Sequence, residues 1–351
     1  MANVPASPGE QSAAQPQTTA SNEPELIAAT HDEDEAEDDF NGDDADSALG
    51  EDAASSTNSI TASILEYRTI QGRTYHSDRH ESSYFAPNDE QQMHSQDITH
   101  HYLSVMLKDK LFLAPIKDDV EKILDVGTGT GDQFPEAEVT GTDLSPTQPL
   151  WVPSNVKFEI DDCIKEWTWP DNNFDFIHMR YLFGAISDWN ALFRQAFRCC
   201  KPGGWVQSCE CDCMMSSDDG SIKEDGVVAT FWNPLWAEMS KLGPSFKVLE
   251  ERRQNKGFEE AGFVDITEVN YKLPIGGWPM DPKLAEVGGL ALLTLINDLE
   301  GYTIVPWNIV HGENTPGYQE TLAFLRKELR SRSMHSYMKI RYVYGRKPES
   351  A

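Results

Sequence analysis

Asp125, Gly127, Gly129 and Gly131 stand in the stretch ILDVGTGTG, where an apolar segment carrying one acid runs into three glycines spaced by two. Glycines at a strand end let bare backbone N–H groups approach a ligand, because no Cβ stands in the way. That suits a nucleotide-type cofactor at the carboxyl edge of a parallel sheet, although an ordinary tight strand-to-helix turn uses the same residues. Further acids close the segments that follow. Residues 137–142 (AEVTGT) read as a second strand ending at Asp143, whose carboxylate can accept from both hydroxyls of a ribose. Residues 156–160 read as a third, ending in Asp161-Asp162-Cys163, which can flank an adenine edge. Residues 174–179 (FDFIHM) read as a fourth, ending at Arg180-Tyr181.

The elements that must position these acids alternate in period. After the fourth strand, Trp189, Leu192, Phe193, Ala196 and Phe197 are spaced for one buried helical stripe. Lys201-Pro202-Gly203-Gly204 is a turn into a fifth strand at 205–209. Cys209, Cys211 and Cys213 recur at period two and share a face. No partner pair with zinc-like spacing follows them, so they read as small buried side chains and no metal is expected. Asp218-Asp219-Gly220 is a turn. Val227, Val228, Phe231, Trp232, Leu235, Trp236 and Met239 follow helical spacing, with Pro234 expected to kink or interrupt the helix. Another helix closes at Gly262, before a strand at 264–269. Thr315-Pro316 reads as an N-cap and first helical residue, ahead of Leu322, Leu325 and Leu329. A last strand is expected at 338–344. Strands alternating with helix-period segments make this an α/β chain with a mostly parallel, twisted sheet and helices on both faces.

Taken together, acid–x–Gly–x–Gly–x–Gly, an acid closing the second strand, an acid pair closing the third and Lys-Pro-Gly-Gly before the fifth resemble class I S-adenosylmethionine-dependent methyltransferases. The finer similarity is to the fungal LaeA-like (UMTA/TAM-type) group, linked to control of secondary metabolism. It is carried by residues 72–92 (GRTYHSDRHESSYFAPNDEQQ), 141–163, 174–184 (FDFIHMRYLFG), 262–268, 272–279 (KLPIGGWP) and 342–348, and it covers roughly 59–348. The resemblance implies a seven-stranded Rossmann-like sheet whose final strand is antiparallel, with S-adenosyl-L-methionine as cofactor. It places Asp125, Gly127, Gly129 and Gly131 around the cofactor's methionine end and Asp143 on the ribose. Asp161 and Asp162 would border the adenine, one of them accepting from its amino group. Arg180 and Tyr181 would lie where the fourth strand meets cofactor and acceptor pocket, and Tyr75, His76 and Tyr84 in a lid ahead of the sheet. The implied division is 1–58 as a disordered acidic tail and 59–351 as the methyltransferase-like domain. Within it, 59–118 form lid and helix, 119–213 the cofactor core, and 214–351 the acceptor-side helices and last strands.

One departure matters. Between Gly127 and the strand at Glu138 lie ten residues, Thr128 to Ala137, where the family carries a full crossover helix. Parallel neighbours usually need a dozen or more residues. Ten extended residues span about 33 Å and can return the chain, but as an irregular loop or a single turn. A weakened helix terminus offers less to anionic groups, and one face of the sheet is expected to lose cover. The second reading is therefore a catalytically impaired relative acting as a regulatory interaction partner.

Residues 1–58 hold 15 acids, no Lys or Arg and one aromatic, Phe40, so about half of the net charge of −29 sits there. Such a segment cannot bury enough apolar surface to offset chain entropy. An acidic body also argues against direct nucleic-acid binding. The first thirty residues lack the basic start and apolar core of a secretory signal. The longest apolar stretch, 287–296, is too short to span a bilayer. With six cysteines kept as thiols, these features point to an intracellular protein of cytoplasm, nucleus or both. Methyl displacement rests mainly on alignment, with a base needed only if the acceptor must lose a proton. His76, His178, His311 and His335 are candidates by type, His178 being nearest the expected pocket, and none is assigned the role. The acceptor, small molecule or protein, is set by pocket walls and is not readable from motifs.

Overall fold

The computed structural model describes residues 26–29, 66–82, 84–117, 119–128, 137–148 and 152–350. Its centre is a seven-stranded sheet. The strands are β3 (Lys122–Val126), β4 (Glu138–Asp143), β5 (Val156–Ile160), β6 (Phe174–Arg180), β7 (Cys200–Ser216), β8 (Val264–Pro274) and β9 (Tyr337–Arg346), in the order β5-β4-β3-β6-β7-β9-β8. The first five run parallel, and β9 is antiparallel to both its neighbours. A two-stranded hairpin, β1 (Arg68–Ile70) and β2 (Arg73–Tyr75), precedes the sheet. Strand order reverses at β3, which pairs with β4 on one side and β6 on the other. Ligands of open α/β sheets bind beyond the carboxyl ends at such a point.

Register decides what each face carries. Ile123, Phe176 and Trp205 are partners across β3, β6 and β7, as are Asp125, His178 and Gln207 one step further on. These rows share one face, since side chains alternate along a strand. On that face, Ala114, Ile123, Ala137, Val139 and Phe176 form a buried cluster supported by Phe112, Ile116 and Val120. The Leu113 and Ala114 N–H groups both donate to Gln207 Oε1, at 2.8 and 2.9 Å. The face expected to lose its cover is thus packed by the segment leading from α1 (Glu90–Met106) to β3. On the opposite face α2 (Trp189–Cys199) packs against α4 (Arg253–Ala261), where Gln254 Nε2 donates to Ser208. Gly257 permits that contact, because a Cβ there would stand 2.2 Å from Phe193 Cδ2.

Several local expectations are corrected. Lys201-Pro202-Gly203-Gly204 is not a turn before a strand but an irregularity inside β7, which already begins at Cys200. Gly203, at φ +79°, donates its N–H to Lys347 O, so pairing with the chain end holds the bulge in the sheet. Pro234 does not break a helix. A π-helical turn, Val228–Trp232, runs into α3 (Asn233–Leu242), and Pro234 sits in the first turn of α3, where a missing N–H costs least. Thr315 is not an N-cap either. Its hydroxyl donates to the His311 and Gly312 carbonyls, finishing α6 (Leu299–His311), and α7 (Tyr318–Leu329) starts after Gly317 at φ +93°. Leu322, Leu325 and Leu329 are buried as the spacing requires.

The expected crossover loop lies outside the described residues apart from its ends, Thr128 and Ala137. Its result is visible: Lys122–Val126 and Glu138–Thr142 pair in parallel, five residues to five. The return path is about 13 Å at the rise of a strand, well within reach of the intervening chain. Most of the acidic tail is likewise outside the described residues. Residues 26–29 within it run extended beside 278–280, with Ala28 bridging Pro279 and Met280 N–H donating to Ile27 O at 2.7 Å.

One ion-pair network ties the amino-terminal segment to the carboxyl-terminal helices. Arg73 on β2 grips Asp89, the N-cap of α1, at 2.5 and 2.7 Å, and Asp298, the N-cap of α6, at 2.5 and 3.0 Å. The Asp298 side chain is wholly buried and also accepts from Gly301 N–H. Burial pushes its carboxyl up, against the opposing pull of Arg73. Arg73→Met would leave that carboxylate without its cation, a loss of about 3–5 kcal/mol for a buried pair broken on one side. Urea denaturation should show it, with Asp298→Asn in the same chain recovering part; a loss under about 1 kcal/mol would mean the network is peripheral.

Candidate functional site

A cavity opens beyond the carboxyl ends of β3 to β6, where the strand order reverses. Gly127 and Thr128 after β3, Asp143 and Ser145 after β4, Asp161 and Cys163 after β5, and Arg180 and Tyr181 after β6 all line it. His76, Tyr84 and Phe85 close it from the amino-terminal side. The far side is formed by α1, the π-helical turn with α3, α5 (Pro282–Asn297) and α6.

Not every expected acid faces this space. Asp125 is buried and spent within the protein: Oδ1 pairs with His178 Nδ1 at 2.9 Å, and Oδ2 accepts from Thr128 Oγ1 at 2.7 Å. It holds Thr128 and is not among the described residues lining the cavity. His178 is its cross-strand partner and a structural histidine. Gly127 is needed for conformation, at φ +71°, and for closeness, since a Cβ would sit 2.7 Å from Leu182 Cδ2. Its N–H and that of Thr128 both donate to Thr142 O, at 2.9 and 3.0 Å, so these two donors are used by the sheet. Gly129 and Gly131 lie outside the described residues.

The acid pair after β5 divides its work. Asp161 lines the cavity, and burial raises its carboxyl pKa above the ordinary value. Asp162 turns away. It accepts from the Glu81 and Ser82 N–H groups, both at 2.9 Å, and from the Ser82 hydroxyl, tethering the lid segment. Burial pushes its carboxyl up, but the Ser82 hydrogen bonds and further backbone donors hold it below the usual range. Asp161 is therefore the member of the pair placed to meet an adenine edge.

Of the four histidines, only His76 lines the cavity. Its Nδ1 donates to Ser77 O at 3.1 Å, while Nε2 accepts from Tyr84 N–H at 3.1 Å and from Arg68 at 3.2 Å. Burial lowers its pKa, so it stays neutral and positions Tyr84. His335 pairs with Asp219 at 2.6 Å, and His311 packs on Trp307.

The methyltransferase-domain family Methyltransf_23 matches residues 98–268. Methyltransferase pytC of Aspergillus terreus is 35% identical over 305 residues, which cover 85% of this chain and 93% of that protein. The chain belongs to the class I S-adenosylmethionine-dependent methyltransferases, in the LaeA-like group. Secondary metabolism regulator LAE1 of Cochliobolus heterostrophus is 30% identical, with 79% of this chain and 94% of that protein covered. Protein-methionine methyltransferase laeA of Emericella nidulans is 28% identical, covering 81% and 77%. Among solved structures, phosphoethanolamine N-methyltransferase 2 of Haemonchus contortus with S-adenosyl-L-methionine is 18% identical, at a TM-score of 0.42 over 71% of this chain and 52% of that one.

The residues present fit this methyltransferase's cofactor, S-adenosyl-L-methionine. Two carboxylates, Asp143 and Asp161, stand at adjacent strand ends on one cavity wall, the donor-accepting chemistry that a ribose diol and an adenine amino group require.

Glu210 escaped the sequence reading. It lies on β7, fully buried, and its carboxyl accepts from the N–H groups of Leu182 and Phe183, at 3.3 and 2.9 Å. It thereby shapes the turn after β6, where Tyr181 adopts φ +56° and presents its ring to the cavity. Only the two-residue spacing from Ser208 and an acid amid apolar neighbours marked it. Burial pushes its carboxyl up to about 8, against the two backbone hydrogen bonds. The folded state therefore binds this proton more tightly than the unfolded chain. Its contribution to stability is largest below the ordinary glutamate pKa of 4.5 and falls as pH rises toward about 8. Denaturation midpoints of wild type should drop between pH 5 and 8 more than those of Glu210→Gln; parallel pH profiles would remove Glu210 as the cause.

Proposed function

We propose that Asp143 binds the cofactor ribose, that Asp161 borders the adenine, and that the enzyme methylates an acceptor held between the strand ends and α3, α5 and α6. The observation that carries this reading is the placement of both acids, at successive carboxyl ends, on one cavity with the Gly127 turn. The cofactor supplies an electrophilic methyl on a sulfonium, for displacement by a nucleophile in line with the departing sulfur. The chain's part is then alignment and exclusion of water. Tyr84, Phe85, Tyr181 and Phe183 shut the cavity with rings, and the neutral His76 fixes Tyr84 from behind. No base is assigned. Relatives named as secondary metabolism regulators, and two named as methyltransferases, support a methyltransferase with a place in fungal secondary metabolism, and the six free cysteines favour a location inside the cell. The same names leave both small-molecule and protein acceptors, and regulatory partners, in range. The enzymatic reading stands ahead of the impaired one because these acids keep their places and the sheet face keeps its packing.

Asp143→Ala should weaken S-adenosyl-L-methionine binding by about 1.5–3 kcal/mol, as for hydrogen bonds to a charged group. Titration calorimetry checks this, with circular dichroism to confirm the fold. Equal affinities would take Asp143 out of the site. Asp162→Ala should differ in kind, raising hydrogen exchange at Glu81 and Ser82; unchanged exchange there would show that the tether does not hold the lid.

A further inference from the structure

We propose that the aromatic half of the cavity is a subsite for a neutral, predominantly apolar small-molecule methyl acceptor that offers a carbonyl or hydroxyl oxygen to the Trp236 indole N–H. The proposal rests on the methyltransferase reading and names the substrate class of that site.

Three observations carry it. The first is the wall. Phe85 meets Trp236 edge-on with ring centroids 5.4 Å apart, Phe183 lies 6.1 Å from Phe85, and Phe246 backs Phe85 and Trp236 at 5.2 and 4.9 Å. Leu273, Ile275, Ala291 and Met338 complete an apolar surround.

The second is charge. Among the described lining residues, the side chains able to carry charge near neutral pH are His76, Asp143, Asp161 and Arg180. His76 is kept neutral by burial. The two acids stand at strand ends on the cofactor side, and Arg180 is engaged with His100 at 3.5 Å. The tyrosines on the wall, Tyr84, Tyr102, Tyr181 and Tyr302, have pKa values raised by burial and remain hydroxyls. Cys211 and Cys213 remain thiols for the same reason. Away from the two strand-end acids and Arg180, a charged acceptor would lose its water on this wall without gaining a counter-ion.

The third is an unmet hydrogen bond. Two neighbouring indoles line the cavity, with centroids 5.6 Å apart. Trp232 Nε1 donates to Cys213 O at 2.7 Å, whereas the Trp236 Nε1 hydrogen has no acceptor among the described residues, although Trp236 is only 2% exposed. Gln92, also lining the cavity and 2% exposed, has an Oε1 with no donor. Buried polar groups are nearly always paired. A donor and an acceptor left unpaired on two side chains of one apolar cavity wall suit a ligand carrying a polar handle.

The test uses the full chain saturated with S-adenosylhomocysteine and the neutral ketone fluorophore 6-propionyl-2-(dimethylamino)naphthalene. It should bind with a blue-shifted emission. The anionic 1-anilinonaphthalene-8-sulfonate, of similar size, should bind at least tenfold more weakly. Trp236→Phe, which keeps the ring and removes the donor, should weaken the ketone about fivefold. Ala291→Phe, which fills the space, should abolish its binding, with S-adenosylhomocysteine affinity kept in both variants as the control for folding. Absence of ketone binding, equal or tighter binding of the sulfonate, or indifference to both substitutions would overturn the proposal. A chain that binds the ketone as stated but not S-adenosylhomocysteine would overturn the methyltransferase reading and leave the subsite standing.

Discussion

A carboxylate taken out of water must be given hydrogen bonds or a cation, and the loops around this cavity are built on that constraint. Asp125 fixes Thr128 after β3, Asp162 fixes Glu81 and Ser82 in the lid, and Glu210 fixes the turn after β6. Each is a buried acid whose desolvation is opposed by donors from a loop, although at Glu210 burial outweighs them and raises the carboxyl to about 8. If one of these loops moved away, it would leave a buried carboxyl group without its donors. The described parts of these loops are therefore held by the protein itself, and binding need not bear the entropy of ordering those residues.

The strand register explains why acids close together in sequence do different work. Neighbours on a strand or at its end point to opposite sides. Asp161 therefore meets the cavity while Asp162 reaches back to the amino-terminal segment. Asp125 sits in line with His178 and Gln207, on the face covered by the segment after α1, which draws its carboxylate into the sheet. Asp143, one step past Thr142 on β4, emerges at the edge and stays on the cavity. The reversal of strand order at β3 supplies the opening, and the register supplies which acids line it.

Much of this was legible in the residues. The strands closed by Val126, Asp143, Ile160 and Arg180 follow from apolar runs ending at a glycine, at acids or at a base, and the antiparallel last strand follows from the family resemblance. What was not legible depended on partners distant in sequence. Asp162 looks equivalent to Asp161 until Ser82, eighty residues earlier, is brought beside it. Glu210 looks like one more polar position on a cysteine-rich strand until Leu182 and Phe183 fold over it. The errors at Thr315 and Pro234 have a local cause. A threonine before a proline and a proline within a helical stripe are each compatible with two arrangements. Here α6 claimed the threonine for its own end, and a π-helical turn let α3 begin at Asn233, with the proline in its first turn.

The lid joins the two ends of the cavity. Its start is held by Asp162 through Glu81 and Ser82, and its middle by His76 through Tyr84. Its end is held by Asn88, which donates to Ser145 beyond Asp143 at 3.0 Å, and by Asp89 on Arg73. Tyr84 and Phe85 lie between these anchors, against the Asp143 side of the cavity and the Trp236 wall respectively. The anchors belong to both halves of the chain: Asp162 and Ser145 to the sheet that carries the acids, Asp298 to the helical layer that carries the aromatic wall. Neither half can shift against the other without pulling on the same few lid residues. Alignment of a methyl donor with an acceptor is the main thing such an enzyme must supply, and a short segment pinned to both halves holds the two sides of this cavity in a fixed relation.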